Sequence, residues 1–171
     1  MLIRLAEPED ARAVAEIHVE AWRAAYASIL SEAFLASLSV ASRQAFWAQF
    51  LAEKRGDLRV AMDVERMLGW INTGPCRDQD AATGEAEIWA LYVSPEVWAT
   101  GVGRELWASA KASLFKKGHR RCRLWVLAQN DRAIRFYQAA GFERDETPAK
   151  TFELGGATVE EIRLSCRLSV A

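Results

Sequence analysis

No apolar run in the 171 residues approaches the roughly 20 that span a bilayer. The opening Met1-Leu-Ile-Arg-Leu-Ala-Glu7-Pro-Glu-Asp10 reaches acidic residues before any stretch of signal-peptide length. These absences predict a cytoplasmic protein that neither spans nor binds a membrane. Cysteine is scarce: Cys76, Cys122 and Cys166 are odd in number and widely spaced, which suits neither a disulfide framework nor a zinc site. They read as reduced and structural, and no metal is expected. An excess of basic charge is missing too, since 22 Lys and Arg against 23 Asp and Glu give a net charge of −1. Phosphate-backbone binding needs such an excess, so nucleic acid is not an expected partner. The one concentrated basic run, Lys116 to Arg121, falls where a helix ends, and cations there offset the helix dipole. With no repeat, low-complexity tract or linker, residues 1–171 read as a single domain.

The chain has 51% hydrophobic and 26% charged residues, a globular balance. Leu2 to Leu5 reads as a strand, and Glu7-Pro8-Glu9-Asp10 suits the first turn of a helix. Val14, Ile17, Ala21, Trp22, Ala25, Tyr26 and Ile29 then recur at steps of three and four, which predicts a helix to about residue 27. A short helix from Ser31 and a third from Ala41 to Lys54 follow. The period then changes to two: Leu58 to Met62 and Met67 to Ile71 predict a hairpin turning at Asp63 to Arg66. Asn72 to Gly84 reads as a loop, Glu85 to Val93 as a strand, Gly101 to Lys117 as a helix, Arg121 to Leu127 as a strand and Asn130 to Ala140 as a helix. Phe142 to Leu168 reads as two strands, the last pair turning at Gly155-Gly156. The expected class is α+β, or mixed α/β, with a mixed, largely antiparallel sheet of about seven strands flanked by helices.

The segment richest in chemical information runs from Glu87 to Trp107: a strand, a loop holding Pro95, and a helix that starts at Gly101-Val102-Gly103. First-turn N–H groups have no partner within a helix, and the dipole adds partial positive charge, so such a start can hold a phosphate by backbone alone. Two glycines remove the Cβ atoms that would block close approach, although a turn with tight helix packing would use them equally well. A dinucleotide fold is rejected because Gly101 comes eight positions after Val93, with Pro95 between, rather than directly after the strand. A Walker loop fails because no Gly-Lys-Ser/Thr follows.

Trp98-Ala-Thr-Gly101-Val-Gly103 resembles the acetyl-CoA motif of the GNAT superfamily of N-acetyltransferases, Gln/Arg-x-x-Gly-x-Gly/Ala, with Trp98 in place of the usual Gln or Arg. A second segment, Asn130-Asp-Arg-Ala133-Ile-Arg-Phe136-Tyr137-Gln-Ala-Ala-Gly141-Phe142, is similar at every fixed position to that family's Asn-x-x-Ala-x-x-Phe-Tyr-x-x-x-Gly-Phe. Ala133 and Tyr137 are four apart and share a helix face. By itself this stretch would also serve as an amphipathic helix with a Gly cap and a core tyrosine.

The resemblance implies transfer of an acetyl group from acetyl-CoA to a primary amine by direct attack in a ternary complex, with no metal and with a homodimer allowed. It implies cofactor contacts from Leu91, Tyr92 and Val93, from Trp98, Ala99, Thr100, Gly101, Val102, Gly103 and Arg104, and from Asn130, Ala133 and Tyr137. It places Glu87 as the base for the amine, directly or through a water, a backbone N–H near Leu91 as the oxyanion donor, and Tyr137 as the acid for the leaving thiolate. An exposed polar strand residue is the alternative reading of Glu87. Seven Trp suggest an apolar or cation-binding acceptor pocket, with Trp22, Tyr26, Phe34, Trp70 and Trp89 as candidate lining. Cys122, His18 and His119 read as structural. The acceptor stays unidentified. A CoA-binding module without catalysis, and an enzyme acting on a protein N-terminus or lysine, are the competing readings.

Overall fold

The computed structural model describes residues 1–64 and 66–169. Strand β1 (Leu2–Leu5) leads through a single 3-10 turn at Pro8–Asp10 into α1 (Ala11–Ala25), α2 (Glu32–Ser37) and α3 (Val40–Ala52). A run of strands follows, β2 (Asp57–Asp63), β3 (Arg66–Pro75) and β4 (Glu85–Val93), and then α4 (Val102–Lys116), β5 (Arg121–Leu127) and α5 (Asp131–Ala139). The chain closes with β6 (Glu143–Arg144), β7 (Lys150–Leu154) and β8 (Ala157–Arg167).

These strands form one eight-stranded sheet in the order β1-β2-β3-β4-β5-β8-β6, with β7 also pairing β8. Every pair is antiparallel except β4 with β5. The architecture is therefore the mixed α/β class expected, with three departures in detail. The C-terminal stretch holds three strands rather than two, because the two-residue β6 pairs Ser165 and Leu164. The first helix ends at Ala25. The loop expected from Asn72 begins only after Pro75: Asn72 and Thr73 are buried between β2 and β4, and pairing on both sides outweighs their turn chemistry.

The core lies on both faces of the sheet. Leu106, Trp107, Ala110 and Leu114 of α4 pack on Ile71, Ile88, Leu124 and Leu164, and α5 adds Tyr137. On the opposite face Val14 and Ile17 of α1 and Trp47 and Phe50 of α3 cover Val60 and Trp70. Full burial of each such side chain contributes about 1.5–3 kcal/mol. Leu30 and Leu35, at and before α2, close over Leu127 and Val159 as a smaller third cluster.

Cys122, Cys166 and His119 take places within the packing of the fold. Cys122 and Cys166 face each other across β5 and β8 in the core. His119 bonds the carbonyl of Gly84, and neighbouring Arg120 donates to the α4 carbonyl of Phe115, as a cation at a helix C-terminus should.

Candidate active site

Strands β4 and β5 pair only at Glu85 with Arg121, Ala86 with Cys122 and Glu87 with Arg123. Past that rung β5 follows β8 along its whole length, while β4 follows β3. The two middle strands thus splay, and a cleft of about 430 Å³ opens between Leu91, Tyr92 and Val93 on one side and Val126 and Leu127 on the other. That volume falls in the range of small-molecule sites.

A bulge turns β4 as it enters the cleft. Ile88 opposes Thr73 and Ala90 opposes Asn72, so Trp89 is the extra residue. Before the bulge Ala86 and Ile88 face α4; after it Leu91 and Val93 do. The ladder also fixes the amides. Ser94 N–H donates to the Leu68 carbonyl, so Tyr92 is the next residue bonded to β3, and Leu91 and Val93 turn their N–H and C=O groups away from β3 into the gap. The Val93 carbonyl accepts from Trp98 Nε1 at 2.8 Å, which anchors the loop after the strand. A backbone donor at Leu91 therefore stands free, two residues past the bulge.

The loop ends in a cradle. Ala99 and Gly101 both take positive φ, 62° and 100°, and α4 begins at Val102. A side chain at Gly101 would be strained in that conformation, and Ala99 bears the strain as part of the turn. The first helical hydrogen bond is Glu105 N–H to Gly101, so the amides of Val102 to Arg104 face the cleft mouth unpaired within the helix. A Cβ on Gly103 would lie 3.2 Å from the Phe136 ring, so this glycine also lets α4 approach α5 closely. The Asn130 side chain accepts from Ala133 N–H at 3.1 Å and caps α5, whose Ala133, Phe136 and Tyr137 line the cleft.

Of the expected cofactor residues, Leu91, Tyr92, Val93, Trp98, Ala99, Gly101, Val102, Gly103, Arg104, Asn130, Ala133 and Tyr137 all line this one cleft. Thr100 does not; its hydroxyl turns back to the Val97 carbonyl. Two cations border the cradle, Arg104 from α4 and Arg132 from α5, the latter lying over the Trp98 ring. Arg132 thus brings positive charge beside the position where the motif usually carries Gln or Arg. Desolvation holds its guanidinium somewhat below the usual Arg range. Its signal in the sequence was faint, one variable position inside a fixed motif.

The acceptor candidates divide. Tyr26 lines the cleft, and Trp22 donates to the Tyr92 hydroxyl at 2.8 Å just behind it. Trp70 is fully buried and donates to the Val14 carbonyl, and its ring packs against those of His18, Trp47 and Tyr92, so it builds the core and not the pocket. Trp89 donates to the Pro75 carbonyl while Arg77 lies over its ring. Phe34 packs on the β7–β8 turn at Gly155. These rings serve packing because bulges, turns and helix crossings need large apolar bodies as much as pockets do.

Glu87 is not the exposed strand residue of the alternative reading, being 3% exposed. Its carboxylate accepts from the Arg77 backbone N–H and Nε at 2.9 and 3.1 Å, and the second oxygen accepts from Nη2 of Arg77. It lies on the face of the sheet opposite α4 but outside the cleft lining. The carboxylate that does line the cleft is Glu161 of β8, opposite Leu127. Burial raises its pKa, and nearby Glu87 adds to the rise while Lys150 and Arg77 oppose it. Tyr137 is buried with its ring against Phe136 and Phe142, and burial raises its pKa well above the usual tyrosine range, so it stays protonated.

An anion cradle, an apolar slot edged by free backbone amides, and a phenol and a carboxylate at the inner end suit a long ligand with phosphates at one end and a reactive group at the other. Comparison with known proteins agrees. The model of the Acetyltransferase (GNAT) family matches residues 11–142. The chain is 30% identical over 163 residues to the uncharacterized N-acetyltransferase YuaI of Bacillus subtilis strain 168, covering 95% of this chain and 90% of that protein. It is 27% identical over 158 residues to a spermidine N(1)-acetyltransferase of Thermoplasma acidophilum, covering 88% and 92% of the two. The crystal structure of the PaiA N-acetyltransferase from Thermoplasma acidophilum in complex with coenzyme A superimposes with a TM-score of 0.79 at 23% identity, over 97% of this chain and 98% of that one. With a family model that spans most of its length and a cleft built from that family's two motifs, this chain belongs to the GNAT family of acetyltransferases and is an acyltransferase.

Proposed function

We propose that this protein transfers an acetyl group from acetyl-CoA to a primary amine by direct attack within a ternary complex. The observation that carries the reading is the splay of β4 from β5, which opens one continuous cleft from the cradle at the head of α4 to Ala21, Ala25 and Tyr26 at the end of α1. Acetyl-CoA, when bound, supplies an activated thioester; the residues do the rest. Backbone amides of Val102 to Arg104, with Arg104 and Arg132, hold the phosphates. Leu91, with its free N–H and C=O, and Val93, with its free N–H, offer these groups to the amide-bearing arm, as an added strand would be held. The Leu91 N–H is placed to donate to the carbonyl oxygen as charge gathers there, a kind of contact that supplies a few kcal/mol. Tyr137, kept neutral by burial, is the donor to the departing sulfur.

Glu87 has a different task in this reading. Its lone pairs are engaged by Arg77, so a base role would require Arg77 to swing away. As it stands, the pair ties the β3–β4 loop to the sheet. Release of free thiol from acetyl-CoA, measured against a panel of alkyl amines, aryl amines, amino acids and peptides, tests the proposal. Amine-dependent thiol release with matching N-acetyl product supports it; thiol release independent of amine contradicts it.

A further inference from the structure

The inner cleft contains a carboxylate that no bond in the fold accounts for. Glu161 is the one acidic side chain lining the cleft among the described residues, and it forms no hydrogen bond or ion pair with any of them. The cations near it are committed elsewhere. Lys150, its cross-strand neighbour on β7, pairs with Asp78 at 3.4 Å and lies over the Trp125 ring. Arg77 holds Glu87. Around the partly buried Glu161 stand Leu127, Tyr26 and, beyond it, Tyr92 and Tyr137, a largely aromatic wall. Leaving a carboxylate unpaired in such surroundings costs free energy, and a cation arriving with the ligand would recover it. The cations that line the cleft, Arg104 and Arg132, stand at the cradle, so the inner end offers no partner for a ligand's carboxylate.

We propose that Glu161 receives the acceptor's ammonium group and takes its proton, and that the acceptor is therefore an alkyl amine or polyamine with no anionic group beside the reacting nitrogen. The inference rests on the acetyl-transfer reading above and adds the acceptor's chemistry and its base. Glu161 accepts one ammonium proton and passes it to solvent. The freed lone pair forms the N–C bond as the C–S bond breaks. The nitrogen loses a second proton as the amide forms, which balances the proton Tyr137 gives to the sulfur. The raised carboxyl pKa, caused by burial, brings Glu161 nearer the range in which a base works well at neutral pH. The charged and titratable groups around it are Lys150 on β7, Arg77, Glu87, Tyr26 and Tyr92.

The test is kcat/KM from pH 6 to 10 for the wild-type chain, Glu161→Gln and Glu87→Gln, with 1,3-diaminopropane, β-alanine and aniline as acceptors. Acetyl-CoA binding by thermal shift reports folding of each variant. The wild type should prefer the diamine to β-alanine by at least ten-fold. Glu161→Gln should lose about a hundred-fold with the diamine near neutral pH and converge on wild type as pH nears the amine's own pKa of about 10.4. With aniline, neutral throughout, the loss should be under ten-fold. An unchanged Glu161→Gln profile with the diamine, or a pH-dependent loss confined to Glu87→Gln, overturns the assignment while leaving acetyl transfer standing. A wild-type chain that acetylates none of the three but acetylates an amino acid or peptide overturns the assignment alone, and one that acetylates no amine of the wider panel overturns both.

Discussion

Glu87 stands directly opposite Arg123 at the last parallel rung that joins β4 to β5. Every feature of the candidate site follows from where that rung ends. Glu85 pairs Arg123 at 2.8 Å, and Asp80 bonds it at 3.0 Å, so the closed end of the splay is clamped by charge. Beyond it the backbone of β4 is free on the β5 side, and a ligand can take the place of the missing strand.

Acetyl-CoA at about a hundred times its dissociation constant should stabilise the fold by roughly 2.7 kcal/mol, and NAD should not. Differential scanning fluorimetry measures both. Gly103→Val should remove the shift, because the branched side chain enters both the cradle and the space of the Phe136 ring. A full shift in that variant would leave Gly103 serving helix packing alone.

Arg132→Ala should raise the dissociation constant for acetyl-CoA about ten-fold, the magnitude of a hydrogen bond to a charged group. The effect should shrink with added salt, since the guanidinium sits at the cleft mouth. Titration calorimetry at two ionic strengths reads it, and an unchanged constant would reduce Arg132 to packing on Trp98.

Tyr137→Phe should lower kcat by ten- to a hundred-fold with acetyl-CoA affinity nearly unchanged. Thiols near pKa about 8.5 leave fairly well unaided, so the variant should stay measurable. A wild-type kcat would leave Tyr137 as a wall of the cleft only.

The boundaries of β4 and β5 and both glycine- and asparagine-led helix starts were legible because apolar runs there end at strong punctuation, Pro95, Gly101 and Asn130. The acceptor side was not. Glu161 reads in sequence as one polar residue of an alternating terminal strand, and only the β5–β8 register sets it at the cleft. The tail of β3 carries Asn72, Thr73, Gly74 and Pro75, loop residues by chemistry that the sheet holds, the first two by strands on both sides and the last two by β4 alone. Trp70 and Trp89 look alike in sequence to a pocket-lining ring; three-dimensional packing assigns the first to the core and the second to the bulge.

His18 gives a pH signature independent of catalysis. It is 8% exposed, accepts from Trp47 Nε1 at 3.2 Å, and stacks on Tyr92. Burial, with Arg43 nearby, pushes its pKa down to about 3. A depressed histidine pKa means the unfolded chain binds a proton that the folded chain refuses, so stability falls as pH drops below about 6.5, by up to about 1.4 kcal/mol per pH unit. Asp10, Asp57, Asp78 and Asp145 have lowered pKa values and lose their contribution only further down, below about 4. Urea unfolding between pH 6.5 and 4.5 should therefore show a slope that His18→Gln flattens. An equal slope in the variant would contradict the buried neutral imidazole.

The central claim is acetyl transfer to an amine without an acetyl-enzyme step. Initial rates measured across a grid of acetyl-CoA and 1,3-diaminopropane concentrations test it most directly, with mass spectrometry of the products and of the protein. The account predicts intersecting double-reciprocal lines, equal amounts of free CoA and monoacetyl diamine, and protein of unchanged mass. Parallel lines with an acetylated protein, or bound acetyl-CoA that yields no acetylated amine, would contradict it.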